Sequence, residues 1–317
     1  MSSDYIPVSV STLQPTDSPG MNLYQKPPRE EGFVLYCAED HPLLQEDLDR
    51  LQGRGISRLY IEGGARDSFQ QYLRDLIDPS SNVEASISAK AGALNDVVRD
   101  VLETEFRGGD TDNTVAEAER LGAITAEIIS HDEFAAGDLC RVLHHDYATF
   151  THSANVAFYA GMLAAELGHD ADDVEKITTA GLLHDLGKLK IDEKILCKPG
   201  KLTDEEFAVI KSHPTLGFDQ LAFREDLTEA QLMMVYQHHE RLDGRGYPVG
   251  VIESEIHPWA KICTVVDVYE ALTSHRPYRT PMPRKKVFEL MRRDSGTAFD
   301  PEVLECWIRI TNSIWER

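Results

Sequence analysis

The sequence HHERLDGRGYP, from His238 to Pro248, places two adjacent histidines directly before a polar loop that contains two glycines. Neighbouring imidazoles can both bind a metal ion, and glycine allows a loop to approach a ligand closely. A histidine pair beside a loop is only suggestive by itself. It gains weight here because further histidines and aspartates occur within apolar segments of the same chain.

A second pair, His184-Asp185, lies in the segment LLHDLGK and follows an apolar stretch that contains Ile177. A helix of this character would bury the carboxylate beside the imidazole, which costs free energy unless the carboxylate is paired or binds a cation. An isolated His-Asp dipeptide is more often a surface pair. The apolar flank and the nearby Lys188 make a functional site here as probable as a surface pair.

Three more residues have the same character. His152 lies in the apolar segment THSANVAFYAGMLAAEL, His213 precedes a proline, and Asp267 stands between two valines in KICTVVDVYEALTS. Each has an ordinary explanation alone: a core histidine, a residue at a helix end, or a paired carboxylate. Their accumulation predicts one metal site. Its candidate ligands are His152, His184, Asp185, His213, His238, His239 and Asp267.

The elements before this cluster predict a small separate module. Residues 1–30 are rich in proline and serine and predict a flexible tail or a loosely docked strand. Residues 31–78 predict a small α/β module, with a buried strand at FVLYC (33–37), a helix from 43 to 51 and a strand at SRLYIE (57–62). The module lacks a glycine-rich phosphate-binding motif, so we expect it to regulate, dock or dimerise.

The rest of the chain is predicted to be helical. Residues 79–137 form either a helical linker or the start of the helical domain, with an apolar stripe that begins at Leu94. Residues 138–317 predict helices joined by polar loops. Thr203 and Glu206 have the spacing of a capping box at a helix start, and Pro214 suits the first turn of the next helix.

Composition limits the classes of function. The chain has 317 residues, enough for one large and one small domain, and its 42% hydrophobic content is typical of a globular protein. A net charge of −22 argues against binding to a nucleic-acid polymer. The chain has neither a secretory signal nor an apolar run near the roughly 20 residues that cross a bilayer. Five scattered cysteines predict buried reduced thiols and a cytoplasmic location.

The separated motifs closely resemble those of the HD-GYP family, a branch of the HD-domain metallophosphohydrolases. The resemblance covers roughly residues 140–306, about half of the chain. It implies a mainly α fold, with a C-terminal all-helical HD-GYP domain, and hydrolysis of the bacterial second messenger cyclic di-GMP to linear pGpG and, in many members, GMP. The matching motifs are His184-Asp185-x-Gly-Lys188, His213, His238-His239-Glu240, Asp243-Gly-x-Gly-Tyr-Pro248, and Asp267 with Arg276-Pro-Tyr-Arg279.

By this resemblance, His152, His184, Asp185 and Asp267 hold one divalent metal ion. Asp185 bridges to a second ion, which His213, His238 and His239 complete. Mixed imidazole and carboxylate ligands favour Fe or Mn, with Zn, Ni or Co as competitors. Two such ions, roughly 3.5–4 Å apart, can clamp a phosphodiester and share a hydroxide that attacks phosphorus in line.

The resemblance also assigns residues beyond the ligands. Lys188 would act with Asp185 in catalysis by binding the scissile phosphate, although a salt bridge is its ordinary alternative. Arg276 and Arg279 would bind substrate phosphates, with solvated charge at a helix end as their alternative. Tyr247 would border the guanine. Gly244 and Gly246 would let the loop that ends in Pro248 bend, and this loop could also recruit partners such as a diguanylate cyclase.

One position departs from part of the family. Some members bind a third metal through a Glu four residues before the first ligand histidine, and this chain has Ala148 there. The sequence therefore favours two metals and puts the second cleavage, to GMP, in doubt. The alternatives left open are a phosphodiesterase for another cyclic dinucleotide such as cyclic GMP-AMP, a non-catalytic nucleotide receptor, and an unrelated HD-domain hydrolase. The native metal and a homodimer are also left open.

Overall fold

The computed structural model describes residues 5–16, 19–27, 32–78, 87–106, 110–131, 149–196, 198, 200–274 and 280–315. The chain divides into two compact units, the first ending at Val97 and the second beginning at Val98. The boundary falls inside one helix, α3 (Ile87–Phe106). Each unit is described by itself below.

The first unit is a four-stranded antiparallel sheet with two helices. The strands lie in the order β1-β4-β2-β3. The two predicted strands, β3 and β4, therefore each pair with β2 and do not pair with each other. The predicted helix between them is present. The elements are β1 (Tyr5–Ser9), β2 (Leu23–Gln25), β3 (Val34–Cys37), α1 (Gln45–Gly53), β4 (Arg58–Glu62) and α2 (Arg66–Ile77).

Two expectations for this unit were wrong. The segment expected to be a flexible tail or a loosely docked strand contributes strands β1 and β2, because β1 pairs with β4 along its length and Val8 is fully buried. The strand expected to be buried, β3, lies at the sheet edge, where Val34 and Leu35 are 50% and 51% exposed. An apolar run does not distinguish an edge strand from a central one.

The second unit is helical, which confirms the mainly α class. Helix α4 (Thr111–His131) packs along α6 (Ala171–Leu183), so the helical domain begins before residue 138. Of the two alternatives for residues 79–137, the start of the helical domain therefore describes α4. After α3 come α4 (Thr111–His131), α5 (Thr149–Glu166), α6 (Ala171–Leu183), a 3-10 helix (Leu186–Lys190), α7 (Glu193–Leu196), α8 (Asp204–Ile210), α9 (His213–Leu221), α10 (Glu229–Gln237), α11 (Pro258–Thr273), α12 (Arg284–Arg293) and α13 (Pro301–Trp315).

Close packing of α5, α6 and α11 forms the core that holds the candidate ligands. A Cβ on Gly181 of α6 would lie 2.7 Å from the Cα of Ala157, so only glycine lets α5 and α6 approach this closely. The rings of Tyr159, Tyr269 and Trp307 meet where α5, α11 and α13 pack, with centroids 5.1–5.9 Å apart. Helices α5 and α11 are thereby held rigidly, and each carries one predicted ligand.

Several local predictions are confirmed. Thr203 and Glu206 form the capping box of α8, through hydrogen bonds of 2.7 and 3.2 Å, and Pro214 lies in the first turn of α9. The three described cysteines, Cys37, Cys263 and Cys306, are free and buried. None of the described helices is both long enough and apolar enough to cross a membrane.

Gly187 provides a test of how the ligand-bearing elements pack. A Cβ at this position would lie 2.0 Å from the carbonyl oxygen of His213 and 2.5 Å from the amide nitrogen of Gly217. Gly187→Ala must therefore push α9 away from the 3-10 helix, and we expect it to destabilise the protein by about 1–3 kcal/mol. Urea unfolding followed by circular dichroism measures this change.

Tryptophan fluorescence assigns the change to the second unit, because all three tryptophans lie after residue 97. Gly53→Ala is the matched control, since no atom lies within 4 Å of the Cβ it would add. It should leave the fluorescence transition in place. Equal midpoints for Gly187→Ala and the parent protein would contradict the packing described here.

Candidate metal centre

The seven predicted ligands come together in the second unit. His152 lies in α5, Asp267 lies in α11, and the His184-Asp185 pair follows α6 directly. His213 begins α9, and the pair of His238 and His239 follows α10 directly. Five segments that are distant in sequence thus converge on one volume, as the spacing of the motifs predicted.

The carboxylate of Asp185 stands between two groups of imidazoles. Its Oδ2 lies 3.5 Å from Nε2 of His152 and 3.4 Å from Nε2 of His184. Its Oδ1 lies 3.2 Å from Nε2 of His213 and 4.0 Å from Nε2 of His238. One oxygen faces each group, which is the arrangement of a carboxylate that can join two cations.

Asp267 also lies near imidazoles of both groups. Its Oδ1 lies 3.1 Å from Nε2 of His152, and its Oδ2 lies 3.8 Å from Nδ1 of His239. Potential ligand atoms gather in two clusters, one containing His152, His184 and Asp185 and the other containing His213, His238 and His239. The candidate centre therefore has two adjoining halves.

Helix ends orient three of the imidazoles. The Nδ1–H groups of His184, His213 and His238 donate to the carbonyl oxygens of the residues three positions earlier, at 2.7, 2.7 and 2.8 Å. These carbonyls belong to the last turns of α6, α8 and α10, where helical partners are missing. Each bond places the proton on Nδ1 and leaves the Nε2 lone pair directed at the centre.

The polar atoms at the centre fit a divalent metal ion. Nε2 of His213 and Nε2 of His238 lie 3.2 Å apart, and the proton of each ring is already donated from Nδ1. Within the described part of the chain, Nε2 of His184 and Oδ1 of Asp185 are buried and have no hydrogen-bond partner. Lone pairs that face each other with no donor between them require a cation.

Both carboxylates are ionised. Burial opposes ionisation of Asp185, but Lys188 and the nearby imidazoles of His184 and His213 hold its pKa well below the usual range. Burial likewise opposes ionisation of Asp267, and the hydrogen bond and charge of His152 lower its pKa. Each oxygen is therefore available as an anionic ligand at neutral pH.

The imidazoles of the two halves differ. Burial is the main cause of the low pKa of His238, and His239 and His184 lower it further. Burial also lowers the pKa of His239, to about 4. At His152 burial opposes the charge too, but Glu270 and Asp267 outweigh it and raise the pKa to about 10. The surroundings of His152 thus attract a cation strongly, whereas His238 and His239 offer neutral nitrogen ligands.

Glu270 is the positioning residue that the motifs did not single out. Its Oε2 accepts the Nδ1–H of His152 at 2.5 Å, and its Oε1 accepts from Asn155 at 3.0 Å and from Ser274 at 2.5 Å. The hydrogen bond between His152 and Glu270 holds the His152 ring with Nε2 toward the centre. Glu270 follows Asp267 by three residues, so a second carboxylate on the buried face of α11 was the available signal.

Two of the predicted substrate residues, Lys188 and Tyr247, lie at the centre. Nζ of Lys188 lies 2.5 Å from Oδ2 of Asp185, so the structure has the ion pair that was the alternative for this lysine. The ring of Tyr247 lies 4.6 Å from that of His239, at the edge of the centre. Arg276, Arg279 and Ala148 lie outside the described residues.

Glu240 holds the glycine-rich loop against the centre. This buried carboxylate accepts the backbone N–H groups of Val249 and Gly250 at 2.8 and 3.0 Å. Gly244 has φ +72°, as a bend requires. Gly246 was also expected to let the loop bend, but it has a different role. A Cβ on Gly246 would lie 2.5 Å from the Cα of Glu240, so its role is close approach rather than bending.

The chain is similar to a known family and to several characterised proteins. A family model for the HD domain matches residues 128–303. The chain is 37% identical over 172 residues to a cyclic di-GMP phosphodiesterase of Thermotoga maritima, covering 54% of this chain and 47% of that protein. It is 34% identical over 205 residues to a cyclic di-GMP phosphodiesterase of Pseudomonas aeruginosa, and the match covers 65% of this chain and 49% of that protein.

A 3'3'-cGAMP-specific phosphodiesterase of Vibrio cholerae is also similar, with 38% identity over 154 residues that cover 49% of this chain and 33% of that protein. The chain spans about half the length of the first two curated relatives. The solved structure of Bd1817, an HDG"Y"P protein from Bdellovibrio bacteriovorus, matches 98% of this chain and 100% of its own, with TM-score 0.69 and 19% identity. This likeness supports the fold alone.

Glu270→Gln tests the positioning of His152. The amide cannot accept the imidazole proton as strongly, so we expect the affinity for Mn²⁺ to fall about 10- to 100-fold while every ligand remains. Competition titration with a metal-binding dye measures this affinity, and circular dichroism reports the fold. Glu289→Gln, at an exposed position of α12, is the control. Unchanged affinity in Glu270→Gln would show that the contact does not position His152.

Proposed function

The chain belongs to the HD domain family, and from this premise we propose that it is a metal-dependent phosphodiesterase of the HD-GYP branch that hydrolyses cyclic di-GMP to linear pGpG. The relatives named for this reaction match 54% and 65% of the chain. The proposal concerns the activity of the whole protein, including its substrate and metals.

The observation that carries the proposal is the position of Asp185. Its two oxygens face two groups of imidazoles, at 3.4–3.5 Å on one side and 3.2–4.0 Å on the other. A site for a single metal has no need of ligands on both sides of a carboxylate. Two-metal sites use such a bridge in hydrolysing phosphodiesters.

We assign the ligands accordingly. His152, His184, Asp185 and Asp267 hold one divalent ion, and Asp185, His213, His238 and His239 hold the other. Fe and Mn suit this mixture of nitrogen and oxygen atoms best. When bound, the two ions supply Lewis acidity and a nucleophile derived from water near neutral pH.

The chain's own groups prepare the site for that chemistry. Glu270 keeps a proton on Nδ1 of His152, and the helix-end carbonyls do the same for three other rings, so these four rings already direct Nε2 toward the centre. The side chain of Lys188 is 31% exposed, and its ammonium group pairs with Asp185. A positive charge therefore lies at the solvent-facing side of the centre, where a phosphate oxygen would approach. Such preorganised charge stabilises a phosphorus centre that gains negative charge.

Tyr247 forms part of the wall of the site. Burial, with the nearby Asp267 and Asp185 carboxylates, raises the pKa of its phenol, which therefore stays neutral. Its backbone N–H donates to the carbonyl of His239 at 3.2 Å, which ties the loop to a ligand residue. A neutral ring here can contact a nucleobase without opposing the anionic substrate.

Anaerobic hydrolysis of cyclic di-GMP by protein reconstituted with Mn²⁺ or Fe²⁺ tests the proposal. We expect linear pGpG, detected by chromatography, and about two metal ions per chain. Asp185→Asn should reduce turnover by at least about a thousandfold, because it removes the charge shared by both halves. The Glu289→Gln variant should retain the parent activity.

The choice of base is tested in the same experiment. A cGAMP-specific relative is as similar to this chain as the cyclic di-GMP relatives are, so 3'3'-cGAMP and cyclic di-AMP belong in the panel. Faster turnover of 3'3'-cGAMP would replace the proposed substrate and keep the reaction. Tight binding of cyclic di-GMP by metal-loaded protein, with no cleavage of any member, would instead identify a receptor.

A further inference from the structure

A cation and two aromatic rings lie together beside the metal centre. Phe207 and Lys211 are four residues apart at the end of α8, so they share one face. Nζ of Lys211 lies 4.8 Å from the ring centroid of Phe207 and 5.5 Å from that of Tyr247. We refer to Phe207, Lys211 and Tyr247 as the aromatic lip.

The lip adjoins the centre through Tyr247. The ring of Tyr247 lies 4.6 Å from the His239 ring and 6.4 Å from the His213 ring, on the side of the second metal half. Lys211 contacts the same tyrosine ring and is exposed. The lip therefore extends from two candidate ligands outward to solvent, and a ligand at the metals could reach it.

The charge of Lys211 is not neutralised by the protein. Within the described ranges, no carboxylate lies within ion-pair distance of its Nζ, as is also true of Lys201, but the Nζ of Lys211 in addition lies against two aromatic rings. The chain contains 54 acidic and 32 basic residues, so a surface lysine has many possible partners. A cation held against aromatic rings, with its remaining side open, is placed for an anion.

Phe207 has the complementary property. Its side chain is 46% exposed although it is large and apolar, and α8 gives it no burial in the core. An exposed ring next to a cation is the combination that binds nucleotides, because every base can stack on a ring while the cation holds a phosphate. The two residues together thus suit one nucleotide unit.

We propose that the aromatic lip binds the half of a cyclic dinucleotide that is not being cleaved. This inference rests on the proposed function. A cyclic dinucleotide has two phosphodiesters, and only one can lie between the metals. The second phosphodiester extends outward, where Lys211 pairs with its anionic oxygen and Phe207 stacks against the attached base. The lip therefore selects dinucleotides over small phosphodiesters.

Binding of a non-hydrolysable phosphorothioate analogue of cyclic di-GMP to the metal-loaded full chain tests the lip. Lys211→Gln should raise Kd about 10- to 100-fold, and Phe207→Leu about tenfold. Lys211→Arg should restore most of the affinity. The control is Lys201→Gln, which makes the same change at an exposed position just before α8 and should leave Kd within twofold.

Two readouts distinguish direct contact from a structural effect. The Kd of the parent protein should rise with salt, and Lys211→Gln should flatten that dependence because the screened ion pair is gone. Lys211→Gln should also raise KM for cyclic di-GMP at least ten times more than KM for bis(p-nitrophenyl) phosphate, which has no second phosphate. Equal losses on both substrates would overturn the proposal.

The outcomes separate this inference from the proposed function. If the protein hydrolyses cyclic di-GMP and Lys211→Gln behaves like Lys201→Gln, the lip is refuted and the function stands. If the analogue binds through Lys211 but cyclic di-GMP is not cleaved, the function fails and the lip stands. If the parent protein neither binds the analogue nor cleaves cyclic di-GMP, both fail.

Discussion

Lone pairs of buried nitrogen and oxygen atoms face one another at the centre of the helical unit, and this constraint governs the rest of the site. Transferring the Asp185 and Asp267 carboxylates out of water costs several kcal/mol each unless nearby charge offsets it. Lys188 and His152 offset part of this cost. The remaining demand is for cations, and the tight packing of α5, α6 and α11 keeps the facing atoms from moving apart.

The convergence of the candidate ligands could be predicted from the sequence because polar residues in apolar helices need a partner. A single histidine or aspartate says little by itself. His152 and Asp267, however, both lie in segments that are too apolar for a surface helix. The fold class followed from the same helical patterns. These inferences depend on local chemistry and spacing, which a sequence displays directly.

Other features depend on contacts that spacing does not display. Strand β1 is held by its pairing with β4, far along the chain, so its composition alone suggested a tail. Glu270 has meaning only because α5 brings His152 within 2.5 Å of it. Lys211 is one of many charged surface residues until Tyr247 is placed beside it. The loop glycines show the same limit, since Gly246 is required by its neighbour's backbone rather than by its own conformation.

The imidazoles of His184, His213 and His238, which bond to carbonyls in the last turns of α6, α8 and α10, give each helix a fixed length. Each ring satisfies a carbonyl three residues earlier and presents its other nitrogen to the centre. Inserting one residue in the last turn would rotate the ring by about 100° around the helix axis, since a turn contains about 3.6 residues. Insertions are therefore tolerated in the connecting loops but not within these turns, so the site can accept new loops during evolution while its helical register stays unchanged.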